Sequence, residues 1–394
     1  MEYKFTRKVE GLKASAIREI LKFTGQPGVI SFAAGNPAPE AFPVDKISEI
    51  SAKLLDNDPV LALQYSITEG YTPLRDFLKI KLAGEYKFLK DDELIITSGA
   101  QQAIDLSCKV LCDADETLIC EAPSFIGSLN AFKSYNVNLV GVELDDDGIN
   151  IELLENALKA NKNTKLLYLI PNFQNPTGKC TTLERRKEIY ALAQKYDIII
   201  IEDDPYGSLR FAGKDIPSIK SLDTDGRVIY VGSFSKILSP GLRVGYVSAN
   251  REIIQKITVC KQTNDVHTNI WAQIICYRFF VDTEFNVYLG NLRSIYKNKC
   301  ELMLNGMDRY FSENVKYTRP DGGLFLWATL PEKADMLAFC KKAVEEFKIA
   351  VVPGTAFMVS ETEKTQSFRL NYSTPSDEDI IKGIEILGNL TKNF

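Results

Sequence analysis

The chain has 394 residues, 47 of them basic and 52 acidic, for a formal charge of −5 with its single histidine neutral. At roughly 150 residues per domain this length suggests two or three domains, and 45% apolar with 25% charged residues is the composition of a globular protein with a large core. The mild acidity argues against a nucleic-acid binder, and a lone histidine, His267, excludes sites that need several imidazoles, such as multi-histidine zinc centres.

The opening MEYKFTRKVE lacks the apolar stretch of a secretory signal. The longest aliphatic run, Ile198 to Ile201, is far too short to span a bilayer. Eight cysteines, at positions 108, 112, 120, 180, 260, 276, 300 and 340, form no CxxC pair, which leaves zinc-ribbon and thioredoxin-type readings without support. The expectation is a cytoplasmic protein with reduced thiols, no membrane or nucleic-acid partner and no bound metal.

In chain order, predicted strands are Glu93–Thr97, Thr117–Glu121, Leu139–Val142, Leu166–Ile170, Ile198–Ile201, Val228–Val231 and Val244–Ser248. Several are continuous apolar runs, as strands covered on both faces should be. Between them, helical spacing predicts Gln101–Leu111 and Thr182–Tyr196, the latter burying Ile189, Leu192 and Ala193. Strands alternating with helices predict a mostly parallel α/β sheet. From about Asp282 helical patterns dominate, then strand-like pieces at Leu324–Ala328 and Ala350–Val352, then a final helix over Asp377–Leu390. The implied division is a large α/β domain over 40–290, a smaller α/β domain over 291–394, and an N-terminal arm over 1–39 that joins the smaller one.

Ligands of open parallel sheets bind where strands end, and the unusual residues of this chain cluster there. The segments are TSGAQQA (97–103), EAPSF (121–125), PNFQNPTG (171–178), EDDPY (202–206), SFSK (233–236) and PGLRVG (240–245). Singly, each has a plainer reading: Asn-Pro-Thr-Gly as a surface turn, Glu-Asp-Asp as a helix cap, Lys236 as an exposed lysine, Arg243 and Arg369 as surface ion-pair residues. Jointly they supply matching chemistry. Small residues at the 98–101 turn leave backbone N–H groups and a helix N-terminus open to an anion. Ser233, Ser235 and Arg243 add hydroxyls and a guanidinium suited to phosphate. Asp203, emerging from a buried strand, needs a cationic partner, and Lys236 is a candidate amine for a Schiff base. An anion cradle, a buried acid and a reactive lysine are the parts that pyridoxal phosphate requires.

In this order and spacing the segments resemble the fold type I pyridoxal-phosphate aminotransferases of class I/II, and within these the kynurenine/2-aminoadipate aminotransferase branch. The likeness runs from SFAAGNPAPEAFP (31–43) through LQYSITEGYTPLRDFL (63–78) to FRLNYS (368–373). It implies a seven-stranded, mostly parallel sheet in the larger domain, pyridoxal 5′-phosphate as cofactor, and transfer of an amino group from an amino acid to a 2-oxo acid such as 2-oxoglutarate by a ping-pong mechanism.

Carried over by position, the resemblance makes Lys236 the Schiff-base lysine and proton shuttle. Asp203 becomes the partner of the pyridine nitrogen, and Tyr206 and Asn175 become donors to the ring's 3′-oxygen. Ala100, Gln101, Ser233, Ser235 and Arg243 would hold the phosphate, and Phe125 would stack on the ring where the family often has tyrosine. Tyr65 would reach the phosphate in a neighbouring subunit, which implies a homodimer with shared active sites. Arg369 would fork onto the substrate α-carboxylate, helped by Asn175 and the Gly35 backbone. Segment ASAIREIL (14–21) resembles a helix covering the substrate side chain, where Arg18 could meet a distal acidic group such as that of 2-aminoadipate or glutamate; bulky apolar and aromatic donors are the other expected substrates. His267 is expected to pack rather than react.

Three alternatives remain open from the residues. A pyridoxal-phosphate β-lyase or decarboxylase would share the lysine and the aspartate. A ligand-sensing regulator would need a DNA-binding module, and the roughly thirty residues before SFAAGNP carry no helix-turn-helix signature. A nicotinamide oxidoreductase would need a GxGxxG after a strand, which is absent.

Overall fold

A computed structural model describes residues 3–10, 28–84, 89–360 and 362–394. Its strands are β1 (Ile30–Ser31), β2 (Asp92–Thr97), β3 (Thr117–Ala122), β4 (Asn138–Asp145), β5 (Gly148–Ile149), β6 (Thr164–Leu169), β7 (Ile199–Asp204), β8 (Val228–Ser233), β9 (Gly245–Asn250), β10 (Lys316–Tyr317), β11 (Phe325–Thr329), β12 (Ile349–Ala350), β13 (Val352–Pro353) and β14 (Ser367–Asn371).

Eight of these form one sheet in the order β2-β9-β8-β7-β6-β3-β4-β5. The neighbours β8, β7, β6, β3 and β4 run parallel, while β9 is antiparallel to both β2 and β8. All seven predicted strands are present. The eighth, β5, is a two-residue strand that folds back on β4 through the Asp145–Gly148 turn, too short to show periodicity.

Alternation explains why the strands read as apolar runs. Along β6, Leu166 and Tyr168 face one core and Leu167 and Leu169 another. The second core is closed by Leu154 and Leu158 of helix Ile151–Ala160 and by Ile189, Tyr190 and Ala193 of helix Leu183–Tyr196. The latter helix starts where Thr182 Oγ1 accepts from Arg185 N and stops at Asp197 in the left-handed region. The first core is closed by helices Ala100–Leu111, Arg251–Asp265 and Ile270–Val281.

A second sheet, β10-β11-β14-β13, is antiparallel throughout. The predicted single strand over Ala350–Val352 is split around Val351. Its first half, β12, pairs in parallel with β1, and its second half, β13, pairs with β14. Asn371 N donates to Phe32 O at 2.8 Å, so the segment after β1 also lies against β14. Helix Phe285–Tyr310 packs along the final helix Asp377–Thr391.

Because β3, β6, β7 and β8 run parallel, their C-terminal ends open on one edge of the sheet. Arg369, in the middle of β14, reaches that edge from the second sheet.

Candidate active site

The loop after β6 brings the two sheets together. Asn175 lies in it, buried, and its Oδ1 accepts from Arg369 Nη1 at 2.8 Å while its Nδ2 lies 3.5 Å from the Tyr206 hydroxyl. The loop is held from below. Fully buried Arg186 donates to the carbonyls of Pro171 and Thr181 and to Asn172 Oδ1. Gln174 accepts from Thr177 N and Oγ1 and donates to Pro123 O, and its amide also reaches Glu121. Glu121 Oε2 accepts in addition from Ile170 N at 3.0 Å, and burial pushes this carboxyl up to about 8.

Asp203, the last residue but one of β7, has 3% of its surface exposed. Its Oδ2 accepts from the Tyr168 hydroxyl at 2.7 Å, and that hydroxyl accepts from Ser128 Oγ at 2.8 Å. Its Oδ1 is buried without any partner. Burial, with Asp204 adding, pushes the carboxyl up to about 7. A buried acceptor with no donor is costly unless a ligand supplies one, and a protonated heterocyclic nitrogen would do so while restoring the acid's ordinary ionisation.

Lys236 follows β8, and its Nζ donates to the Gly35 carbonyl at 2.8 Å. Burial first, then the Arg369 and Arg243 cations, bring its amine down to about 8. An appreciable fraction is therefore unprotonated and nucleophilic near neutral pH.

Arg369 is 3% exposed, and its guanidinium lies 4.3 Å from the Phe325 ring centre and 4.9 Å from that of Phe357. Nη2 donates to Ala33 O at 2.7 Å, whereas Nε is buried and unpartnered. Burial lowers its ionisation to about 10, so it stays cationic at neutral pH. A carboxylate would complete its fork.

At the other end of the edge, Ser98 and Gly99 turn β2 into helix Ala100–Leu111. Gly99 sits at φ 80°, and any side chain there would strike the Arg243 guanidinium. Arg243 Nη2 donates to Ser98 O at 3.3 Å. Ser233 and Ser235 are buried beside each other, with Ser235 N donating to Ser233 Oγ. The helix N-terminus, two hydroxyls and a guanidinium fit a phosphate. The fit to pyridoxal phosphate thus rests on two orphaned buried atoms and an anion cradle.

Phe125 is the N-cap of helix Ile126–Lys133, and Gln101 Nε2 donates to Gly127 O at 2.9 Å, tying the cradle to that segment. Tyr65 is 82% exposed, its ring edge-on to His267 at 5.9 Å. Arg18 lies outside the described residues. Sequence reasoning missed Tyr168, Phe325 and Phe357. Tyr168 hides in an alternating buried run, and the two phenylalanines meet Arg369 only through tertiary contact.

The family model "Aminotransferase class I and II" matches residues 27–387. Aromatic-amino-acid aminotransferase 1 of Thermococcus litoralis is 40% identical over 393 residues, covering 98% of this chain and 94% of its own. The crystal structure of Pyrococcus horikoshii kynurenine aminotransferase, in complex with PMP, superimposes with a TM-score of 0.94 at 37% identity, covering 99% of this chain and 97% of that one. The α-aminoadipate aminotransferase of Thermus thermophilus, complexed with N-(5′-phosphopyridoxyl)-L-leucine, gives 0.90 at 37% identity with the same coverage.

Proposed function

The chain belongs to the class I and II aminotransferases and is a pyridoxal-phosphate-dependent transaminase of fold type I, and from that premise we propose which residues do the work and on what. Its substrates are amino acids and 2-oxo acids. The observation that carries the assignment of roles is the pair of orphaned buried atoms, Asp203 Oδ1 and Arg369 Nε, together with the depressed amine of Lys236.

When bound, the cofactor supplies an aldehyde for the substrate amine and a cationic ring that accepts the electrons released at Cα. Asp203, its carboxylate fixed by Tyr168, would hold the ring nitrogen protonated. Ser233, Ser235, Arg243 and the Ala100 and Gln101 amides would anchor the phosphate, Phe125 would stack on the ring, and Tyr206 and Asn175 would meet its 3′-oxygen. Arg369 fixes the substrate carboxylate, with Asn175 bridging the two binding sites. Lys236, released from the Gly35 carbonyl, would be the base that takes the proton from the substrate Cα and the acid that gives it back. The structural contribution is orientation and electrostatics in a buried site.

The chain divides in this reading into 40–290 around the eight-stranded sheet and 291–394 around the four-stranded one, with 1–39 joined to the latter by the β1–β12 pair. It works as a homodimer. Support comes from the exposed run Val60, Leu61, Leu63, Tyr65 and Ile67, an apolar surface that a second copy would cover, with Tyr65 completing the partner's phosphate site. All eight cysteines are free thiols, which favours the cytoplasm. The named relatives favour aromatic amino acids, kynurenine and 2-aminoadipate as donors; 2-oxoglutarate is the acceptor that the sequence resemblance implies, and Arg18 would meet the distal carboxylate.

Isotope tracing tests this. With a ¹⁵N-labelled donor, label moves stoichiometrically into the amino acid made from 2-oxoglutarate. Free ammonia with pyruvate from a β-substituted donor would instead mark a lyase.

A further inference from the structure

Hydrogen-bonded to the 98–100 turn lies a charged cluster to which the proposed chemistry assigns no role. Lys261, on helix Arg251–Asp265, is 0% exposed, and its Nζ donates to Asp265 Oδ1 at 2.6 Å. The other oxygen, Asp265 Oδ2, accepts from Ser98 Oγ at 2.6 Å and from Gln102 Nε2 at 2.8 Å. Ser98 N in turn donates to Gln102 Oε1 at 2.8 Å, and Ser98 Oγ lies 3.1 Å from Thr268 Oγ1. Ser98 is thereby gripped by its N–H and its hydroxyl, while its carbonyl accepts from Arg243.

The backbone just after Asp265 is strained. Val266 has φ 63° and ψ −61°, a conformation that a β-branched residue rarely adopts. His267 N donates to Asp265 O at 2.6 Å across it, closing the disfavoured form of γ-turn. Strain of this kind persists only where surrounding contacts impose it, and it concentrates at functional sites. Here it aims the Asp265 carboxylate at Ser98 and leaves His267 beside Tyr65.

We propose that Lys261 and Asp265 are positioning residues that hold the Ser98–Gly99–Ala100 turn in its phosphate-binding shape, with the Val266 turn fixing their aim. This rests on the reading of that turn as the cofactor's phosphate seat. Although burial raises it, the hydrogen bond from Lys261 brings the Asp265 carboxyl below its ordinary value, and an ionised acceptor locks the Ser98 hydroxyl more firmly than a neutral one would.

The test is an absorbance titration of the cofactor-free full-length chain with pyridoxal 5′-phosphate and, separately, with pyridoxal. The chains compared are wild type, Asp265→Ala, and the double variant Lys261→Met/Asp265→Ala, which removes the buried cation and so avoids an unpaired charge. Both variants are expected to bind pyridoxal 5′-phosphate about tenfold more weakly while pyridoxal affinity changes less than about twofold. Equal losses for the two ligands, or no loss in the folded double variant, would overturn the proposal. A wild type that does not prefer the phosphorylated ligand would overturn the phosphate seat itself.

Discussion

The Tyr168 hydroxyl and the Asp203 carboxylate meet at 2.7 Å inside the sheet, and the bond occupies one carboxylate oxygen while the other is left open. The tyrosine selects which oxygen faces the site, and its hydrogen bond offsets part of the rise that burial imposes on the acid.

Replacing Tyr168 with Phe removes the donor and raises Asp203 further above the ordinary carboxylate range. The expected result is a roughly tenfold fall in kcat with correctly folded protein, and a smaller fall for Ser128→Ala, which acts one bond away. A Tyr168→Phe enzyme with wild-type kcat would show that burial alone sets the acid.

Glu121 gives a pH prediction. Burial raises its carboxyl from 4.5 to about 8, so the folded chain retains a proton that the unfolded chain releases. The stability this contributes is complete below about 4.5 and is lost as pH rises through about 8. In the cofactor-free chain, Tm should fall more between about pH 5 and pH 8 for wild type than for Glu121→Gln. Asp203 and Glu202, also raised by burial to about 7, are present in both proteins; Glu202 cancels from the comparison, and Asp203 cancels apart from its charge coupling to Glu121, the smallest of the causes acting on that residue. Parallel Tm curves would remove Glu121 from the account.

Phe325 stacks on Arg369 and meets the Tyr206 ring edge-on at 5.9 Å. In Phe325→Leu the guanidinium loses a face that fixes its plane. Steady-state kinetics should show KM for the amino acid rising about fivefold with kcat within about twofold. A lower kcat at unchanged KM would place the ring in the chemical step instead.

The role proposed for Arg18 distinguishes acidic from apolar donors. Arg18→Ala should lower kcat/KM for 2-aminoadipate about a hundredfold while leaving leucine within about threefold. An equal loss for both donors would assign Arg18 a role unrelated to the distal carboxylate.

The sequence carried most of the large sheet, because its strands are buried on both faces and read as uninterrupted runs. The candidates Lys236, Asp203 and Asn175 stand out because each sits in a short segment of unusual composition at a strand end, whereas Arg369, in the middle of β14, stands out only through the resemblance carried by FRLNYS. Tyr168 does not: in Leu166–Leu169 it occupies an apolar slot, and only the partner across the sheet reveals its polar task. The split around Val351 was equally hidden, since it depends on β1, some 320 residues earlier, taking the first half as its partner. Lys261 and Asp265, spaced i to i+4, look like one more solvated helix pair until the fold seals the lysine from water.

The central claim is that one lysine amine holds the cofactor. Purified enzyme is reduced with borohydride, digested, and searched by mass spectrometry for the modified residue. A pyridoxyl group on Lys236 in near-stoichiometric yield is the predicted result; a pyridoxyl group on any other lysine, or none after incubation with excess cofactor, would contradict the account.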